Sequence, residues 1–372
     1  MDLFQNKIYQ EAARKVKFRI EEANKNDVEI FGKTWYNKHF TVGAVPHMVN
    51  DFNTVLGKMY LEIAASTIDG KSAEPLRGHQ GYTSVPQSMF THAHAYKLEA
   101  DEIRELMLMV KLADGSAQQQ TAKYITDKLF DITRQAVQGV RARIDLIILE
   151  ALSNGGKFTF SKENDPQSPF IGKTINFGMP TSNVGTVGSG NEWIDAHVDT
   201  IDPLKEIDEV KKLSRYGSFA TILVDQATMN FLLRTKAMKG YVNSIITPNT
   251  PLSQKQVNDW MIANGYPKFE IVNRDMLIQD GDAFKQYTPF KKGQMVFLPD
   301  DQIGTIETRL SDAELGMRSE GVEYTKYGRI EVRKFTLGEK ENTDYCEITK
   351  ASVTAAPSMD TIDNIFVLDT TK

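Results

Sequence analysis

The stretch that most constrains this chain runs from Ser116 to Gly155. Apolar side chains recur at Ile125, Leu129, Ile132, Ala136, Val140, Ile144, Ile147 or Ile148, and Ala151. Steps of three and four put them on one face of an α-helix. Ser116 is placed to cap the N-terminus, where Asp114 adds favourable negative charge. Asn154, Gly155 and Gly156 supply a left-handed stop. At about 1.5 Å per residue the helix is about 55 Å long, far beyond the usual three turns. Gly139 marks a bend or a close contact. Tyr124, Lys128, Arg134, Arg141 and Arg143 fall on other faces. A strut of this length supports something extended.

A chain of 372 residues has room for two or three domains, and 41% hydrophobic with 25% charged residues is a globular composition. No run of 18 apolar residues suggests a membrane span. The N-terminal MDLFQNKIYQEAARKVKF is amphipathic and lacks the apolar core of a signal peptide, so an intracellular protein is expected. The single Cys346 excludes an intramolecular disulfide framework and a multi-cysteine zinc site; a buried, inert thiol is expected. A net charge of −5 argues against a broad basic grip on nucleic acid, though not against enclosing it.

Residues 2–24 read as an amphipathic helix. Two strand-like runs with a connector occupy 27–64, broken by Pro46. In 65–100, Gly70, Pro75, Gly78, Gly81 and Pro86 exclude a long helix. An alternating run from Phe90 to Tyr96 follows, and the whole reads as a two-stranded extended arm. Glu99 to Leu112 is a short helix. After the strut come two short strands, KFTFS and KTINF, and a flexible glycine-rich loop, MPTSNVGTVGSGNEW. From about 200 to 305 strands and helices alternate as a compact domain, with Asp202 and Ser253 as caps. YGRIEVRKFTLG and TDYCEITKASVT form a long ribbon, and APSMDTIDNIFVLDT closes the chain with a strand.

Chemical motifs are sparse. Ala65 to Ser72 fits a relaxed phosphate-loop pattern ending in Gly70-Lys71-Ser72, and the FATILV strand ends in Asp225. Such a loop must lead straight into a helix, which Pro75, Gly78 and Gly81 prevent. His92 and His94 share one side of a strand without a nearby acid or thiol, which is weak for a metal. Asp225, Asp300 and Asp301 sit at strand ends, where carboxylates commonly cap. Arg77, His79 and Tyr82 in the arm are either solvated or subunit contacts, since Arg and Tyr are favoured at interfaces.

Taken in order, the elements resemble the Hong Kong 97 fold of tailed-phage major capsid proteins, and more closely the lambda-type family. The likeness rests on SGNEW leading to Asp202-Pro203 and an acidic helix, on ILVDQATMNFLLRTKAMK, on KFEIVN and QMVFLPDDQIG, and on the closing APSMDTIDNIFVLDT. Arg77-Gly78 and Gly81-Tyr82 sit where that family has its extended loop; the arm here is longer and the ribbon turn at 338–343 more charged. The resemblance implies an α+β fold divided into an N-terminal arm and lead-in (1–54), an extended loop (55–98) and a peripheral domain (99–199) carrying the spine helix 116–155. An axial domain (200–305), a returning ribbon (306–349) and a final axial strand (350–372) complete it. It implies a structural, non-enzymatic protein that assembles with itself as pentamers and hexamers into an icosahedral shell enclosing double-stranded DNA. Its implied location is the virion, after assembly in the host cytoplasm. Further implied partners are a scaffolding protein, a portal and a decoration protein, with no membrane. No catalytic, cofactor or metal site is expected. Arg77, His79, Tyr82, Arg134, Arg141 and Arg143 become subunit-interface candidates, the last three toward a neighbour or packaged DNA. An encapsulin-like nanocompartment and a phosphate-loop hydrolase are the alternatives.

Overall fold

A computed structural model describes residues 3–56, 83–112, 116–214, 218–243, 250–338 and 345–372. The chain opens with helix α1 (Lys7–Lys25), a single turn α2 (Tyr36–His39) and strand β1 (Phe40–Val42). Strands β2 (Asp51–Leu56), β3 (Thr83–Ser88) and β4 (Phe90–Leu98) lead to helices α3 (Ala100–Leu112) and α4 (Ser116–Ser153). Next come β5 (Lys157–Thr159), β6 (Thr174–Asn176), β7 (Val184–Thr186), α5 (Pro203–Leu213) and β8 (Thr221–Val224). Helices α6 (Gln226–Arg234), α7 (Lys236–Val242) and α8 (Gln254–Ala263) precede β9 (Lys268–Ile271), β10 (Met276–Asp280) and β11 (Ala283–Tyr287). The remainder is strand: β12 (Gln294–Leu298), β13 (Gly304–Thr308), β14 (Glu323–Tyr327), β15 (Ile330–Leu337), β16 (Cys346–Ser358) and β17 (Phe366–Asp369).

The spine helix α4 has 38 residues, about 57 Å at the standard rise. Up to its middle it buries a stripe that includes Ile125, Leu129 and Ala136. From Ile144 to Leu152 burial extends around nearly the whole circumference, as expected of a helix passing through the middle of a molecule. Gly155 and Gly156 both take positive φ, +62° and +74°, and end it.

Two sheets organise what the spine supports. In the larger, β16 is the central strand. It pairs antiparallel with β4 along one side, and with β15 and then β13 along the other; β14 and β1 extend the edges. The second sheet has the order β7-β17-β12-β8-β9. Its central strands β8, β12 and β17 are buried on both faces, which is why they read as continuous apolar runs. Alternate side chains enter different cores. Leu223, Val296, Leu298 and Val367 join the spine-helix core. Ile222, Val224, Met295, Phe297, Phe366 and Leu368 join a second core under α5, α6 and α8. The period of two along each strand thus welds the compact unit to the spine.

Several expectations change here. Phe90–Leu98, read as part of the extended loop, is β4 and pairs along its length with Glu347–Ala355. Lys350–Ser358, read as part of the final axial strand, belongs to β16 in the larger sheet, and only β17 enters the second sheet. The glycine-rich loop contributes β7, whose Val184–Thr186 pairs parallel with Val367–Asp369. Over the described residues 27–56, α2, β1 and β2 form, β1 in parallel with β13. The β10–β11 hairpin had no sequence assignment; its two-residue turn places Gly281 at φ +60°.

Candidate functional site

The surfaces and joints that would carry subunit contacts are the candidate site. Strands β2 and β3, on either side of residues 57–82, pair antiparallel from Asp51↔Ser88 to Leu56↔Thr83. This pair is fixed at three points. The Thr54 and Ser358 hydroxyls lie 3.0 Å apart, and Gln87 Nε2 donates to the Asn176 carbonyl at 2.8 Å. Gly178, at φ +88°, lets Val85 and Leu56 approach so closely that a Cβ there would lie 2.8 Å from Val85 Cγ2. Arg77, His79, Tyr82 and the phosphate-loop-like Ala65–Ser72 lie outside the described residues.

The spine's arginines separate into two groups. Arg134 pairs with Asp131 one turn away, its side chain 44% exposed. Arg141, read as a face for a neighbour or DNA, is instead internal: its side chain is 4% exposed and its guanidinium donates to both Glu29 oxygens at 3.1 and 2.8 Å. Burial works against the Glu29 charge, but the hydrogen bonds from Arg141, the Phe31 amide and Tyr327, with the Arg141 charge, together outweigh it and hold the carboxyl below its ordinary range. Arg143 is also turned inward. It donates to the Asn164 carbonyl at 2.8 Å and pairs with Asp165 at 3.3 Å, anchoring the loop after β5. A helix enclosed by the N-terminal segment, sheet and loop leaves Arg141 almost no solvent face and Arg143 only a partial one.

Two carboxylates missed in the sequence carry the joints. Asp145 is fully buried; it accepts from the Trp35 and Tyr36 amides at 3.2 and 2.8 Å, capping α2, and from Arg274 Nε at 3.0 Å. One side chain therefore ties the N-terminal segment, the spine and the stretch after β9. Burial raises its pKa, opposed by those hydrogen bonds and Arg274. Glu150 accepts from Tyr287 at 2.8 Å and from Asn164 at 3.1 Å, tying the β10–β11 hairpin to the spine. The available signal was a lone acid on either side of Leu146–Leu149, since charges in such a run must find partners.

The remaining sequence candidates are structural. Asp225 caps α6 through the amides of Ala227 and Thr228 and accepts from the Gly293 amide at 3.0 Å. Asp301 accepts from Thr221 and Lys268, and Asp300 from the Gln302 amide. His94 lies against the spine at Gly139, where a Cβ would fall 2.6 Å from its ring. Burial, reinforced by Arg143, pulls the His92 pKa down to about 4. Among the described residues no three His, Cys, Asp or Glu side chains converge as metal ligands, and no helix is long and apolar enough to cross a membrane. Cys346 is buried and free.

No family model matches the sequence, and no curated protein matches it. Solved structures do. The chain superposes on the capsid protein ascribed to a prophage of E. coli CFT073 with a TM-score of 0.57 at 10% identity, covering 94% of this chain and 98% of that one. The fold is that of a phage capsid protein. The capsid of Myoviridae phage XM1 (TM-score 0.45, 8% identity, 91% and 94% covered) is also similar. So is a phage-related protein of Bordetella bronchiseptica RB50 (0.45, 11%, 90% and 91%). The capsid fold accounts for the α+β architecture: one long spine, one sheet along it, and a compact unit at its C-terminal end.

Proposed function

We propose that this protein is a major capsid protein, a structural subunit that assembles with copies of itself into the icosahedral shell of a tailed phage. The observation that carries this reading is end-to-end superposition on a prophage capsid protein, with almost no part of either chain left over. The candidate acids Asp225 and Asp300 are occupied, accepting from the Ala227 and Gln302 amides. Assembly rests on many copies making heterologous contacts around rings, with arms spreading buried area over neighbours. In this reading the arm rooted at β2 and β3, with Arg77, His79 and Tyr82, engages a neighbour, and Arg134 stays available for a contact. The pieces take the roles of N-terminal arm, extended loop, peripheral domain and axial domain. A separate scaffolding protein, a portal and a decoration protein are the expected partners in the host cytoplasm, and the shell encloses DNA without sequence-specific binding.

Electron microscopy and sedimentation of the expressed protein test this, alone and with the scaffolding protein. Pentamers, hexamers or closed shells are expected. A protein that stays monomeric at high concentration with scaffold added refutes the reading. Replacing residues 57–82 with a short Gly-Ser linker should leave a cooperatively folded subunit that no longer closes shells. Particles filled with an enzyme instead of DNA would point to a nanocompartment.

A further inference from the structure

Two aromatic side chains stand out from the surface in surroundings of opposite charge. Phe18 is 65% and Phe284 66% exposed, the highest values of any aromatic residue among those described. Phe18 projects from α1 opposite the stripe of Tyr9, Ala12, Val16 and Ile20 that packs on the body. Arg14 and Lys15 lie one turn before it and Lys17 beside it, and from Arg14 to Arg19 the helix has no acid. Phe284 projects from β11. It pairs with Gln279, and Leu277, 70% exposed, stands diagonally across on the same face. Met276, Ile278 and Tyr287, on the other face, pack against the spine-helix core. The exposed Asp280 and Asp282 bracket the hairpin turn at Gly281. Among the described residues Arg14, Lys15, Lys17, Asp280 and Asp282 form no ion pair.

We infer, resting on the shell reading above, that these two faces are the halves of one contact: the outer face of the β10–β11 hairpin seats on the solvent face of α1 in a second copy of this chain. Local charge chooses the occupant. The acidic turn of the hairpin complements the cations before Phe18, while Leu277 and Phe284 cover the Phe18 ring. The two faces cannot meet within one chain. Arg19, next to Phe18, lies 4.0 Å over the Phe130 ring, and Tyr287 ties the hairpin to Glu150 at 2.8 Å. Those two spine positions are about 30 Å apart along the helix axis. A contact between unlike faces is heterologous: each copy offers its hairpin to one neighbour and its α1 to another, which is the relation that builds rings. Nucleic acid would match the cations of α1, but it supplies no apolar counterpart to Phe18 and leaves the hairpin face uncovered.

Charge reversal tests the pairing. Asp280→Lys with Asp282→Lys, and separately Arg14→Glu with Lys15→Glu, change exposed side chains only, and circular dichroism checks that each subunit still folds. Each pair should raise the subunit concentration needed for particles about tenfold. Combining all four restores opposite signs across the contact and should return assembly to the parent level. In a second measurement, Phe18→Cys subunits are mixed with Phe284→Cys subunits, assembled and mildly oxidised; the native Cys346 is buried. A disulfide between copies is expected in the mixture and in neither variant alone. Additive losses in the fourfold variant, with particles from the mixture that carry no such disulfide, overturn the contact and leave the shell reading intact. Particles that form normally with Arg14 and Lys15 reversed but hold less DNA assign α1 to nucleic acid and overturn it as well. A parent chain that never associates ends both readings.

Discussion

Replacing Gly139 by Ala probes the contact between the spine helix and the larger sheet. In an exposed helix interior the change stabilises by about 1 kcal/mol, because glycine leaves more backbone entropy to lose. Here the new methyl would lie 2.6 Å from His94 Cγ and 2.8 Å from Nδ1. These atoms sit at the base and side of a rigid ring, on a strand held to β16 from Phe90 to Leu98. The ring cannot step aside as a flexible chain end could, so an overpacking cost of about 1–3 kcal/mol is expected. Set against the propensity gain, the net effect in the parent protein is about 0–2 kcal/mol destabilising. In a His94→Ala background the obstacle is gone, and Gly139→Ala should stabilise by about 1 kcal/mol. The prediction is therefore a change of sign across a double-mutant cycle, with a coupling of about 1–3 kcal/mol. Urea unfolding of the unassembled subunit, followed by circular dichroism, measures all four proteins. Equal stabilisation by Gly139→Ala in both backgrounds would refute the packing of His94 on the spine.

Two further changes test the joints. His92 binds its proton less readily folded than unfolded, with its pKa lowered from 6.5 to about 4 by burial and Arg143. Its contribution is intact above pH 6.5 and is lost as pH falls toward 4, because the unfolded chain takes up the proton first. The loss is on the order of 3 kcal/mol by pH 4; a His92→Phe variant should remove that part of the acid dependence, and an unchanged slope would show that His92 is not buried neutral. Asp145→Ala frees the Trp35 and Tyr36 amides and leaves Arg274 without its carboxylate. A loss of about 3–5 kcal/mol is expected, with faster hydrogen exchange at residues 35–40; a loss under about 1 kcal/mol, the range of an exposed ion pair, would mean that the joint is not held there.

What the sequence revealed and what it hid follow one physical line. Features decided within a turn or two of chain were legible. The spine was visible because its apolar spacing and its Gly155-Gly156 stop are local, and the caps at Asp202 and Ser253 because an N-cap acts within three residues. Pairing decided across hundreds of residues was not. Nothing near Phe90 says that it will face Ala355, so an alternating run after a Gly-Pro tract reads equally as arm or sheet. Nor does anything near Arg141 say that Glu29 will enclose it, 112 positions earlier. A spine arginine looks solvent-facing from its helical phase alone, and it becomes internal only when the N-terminal segment is laid across that face.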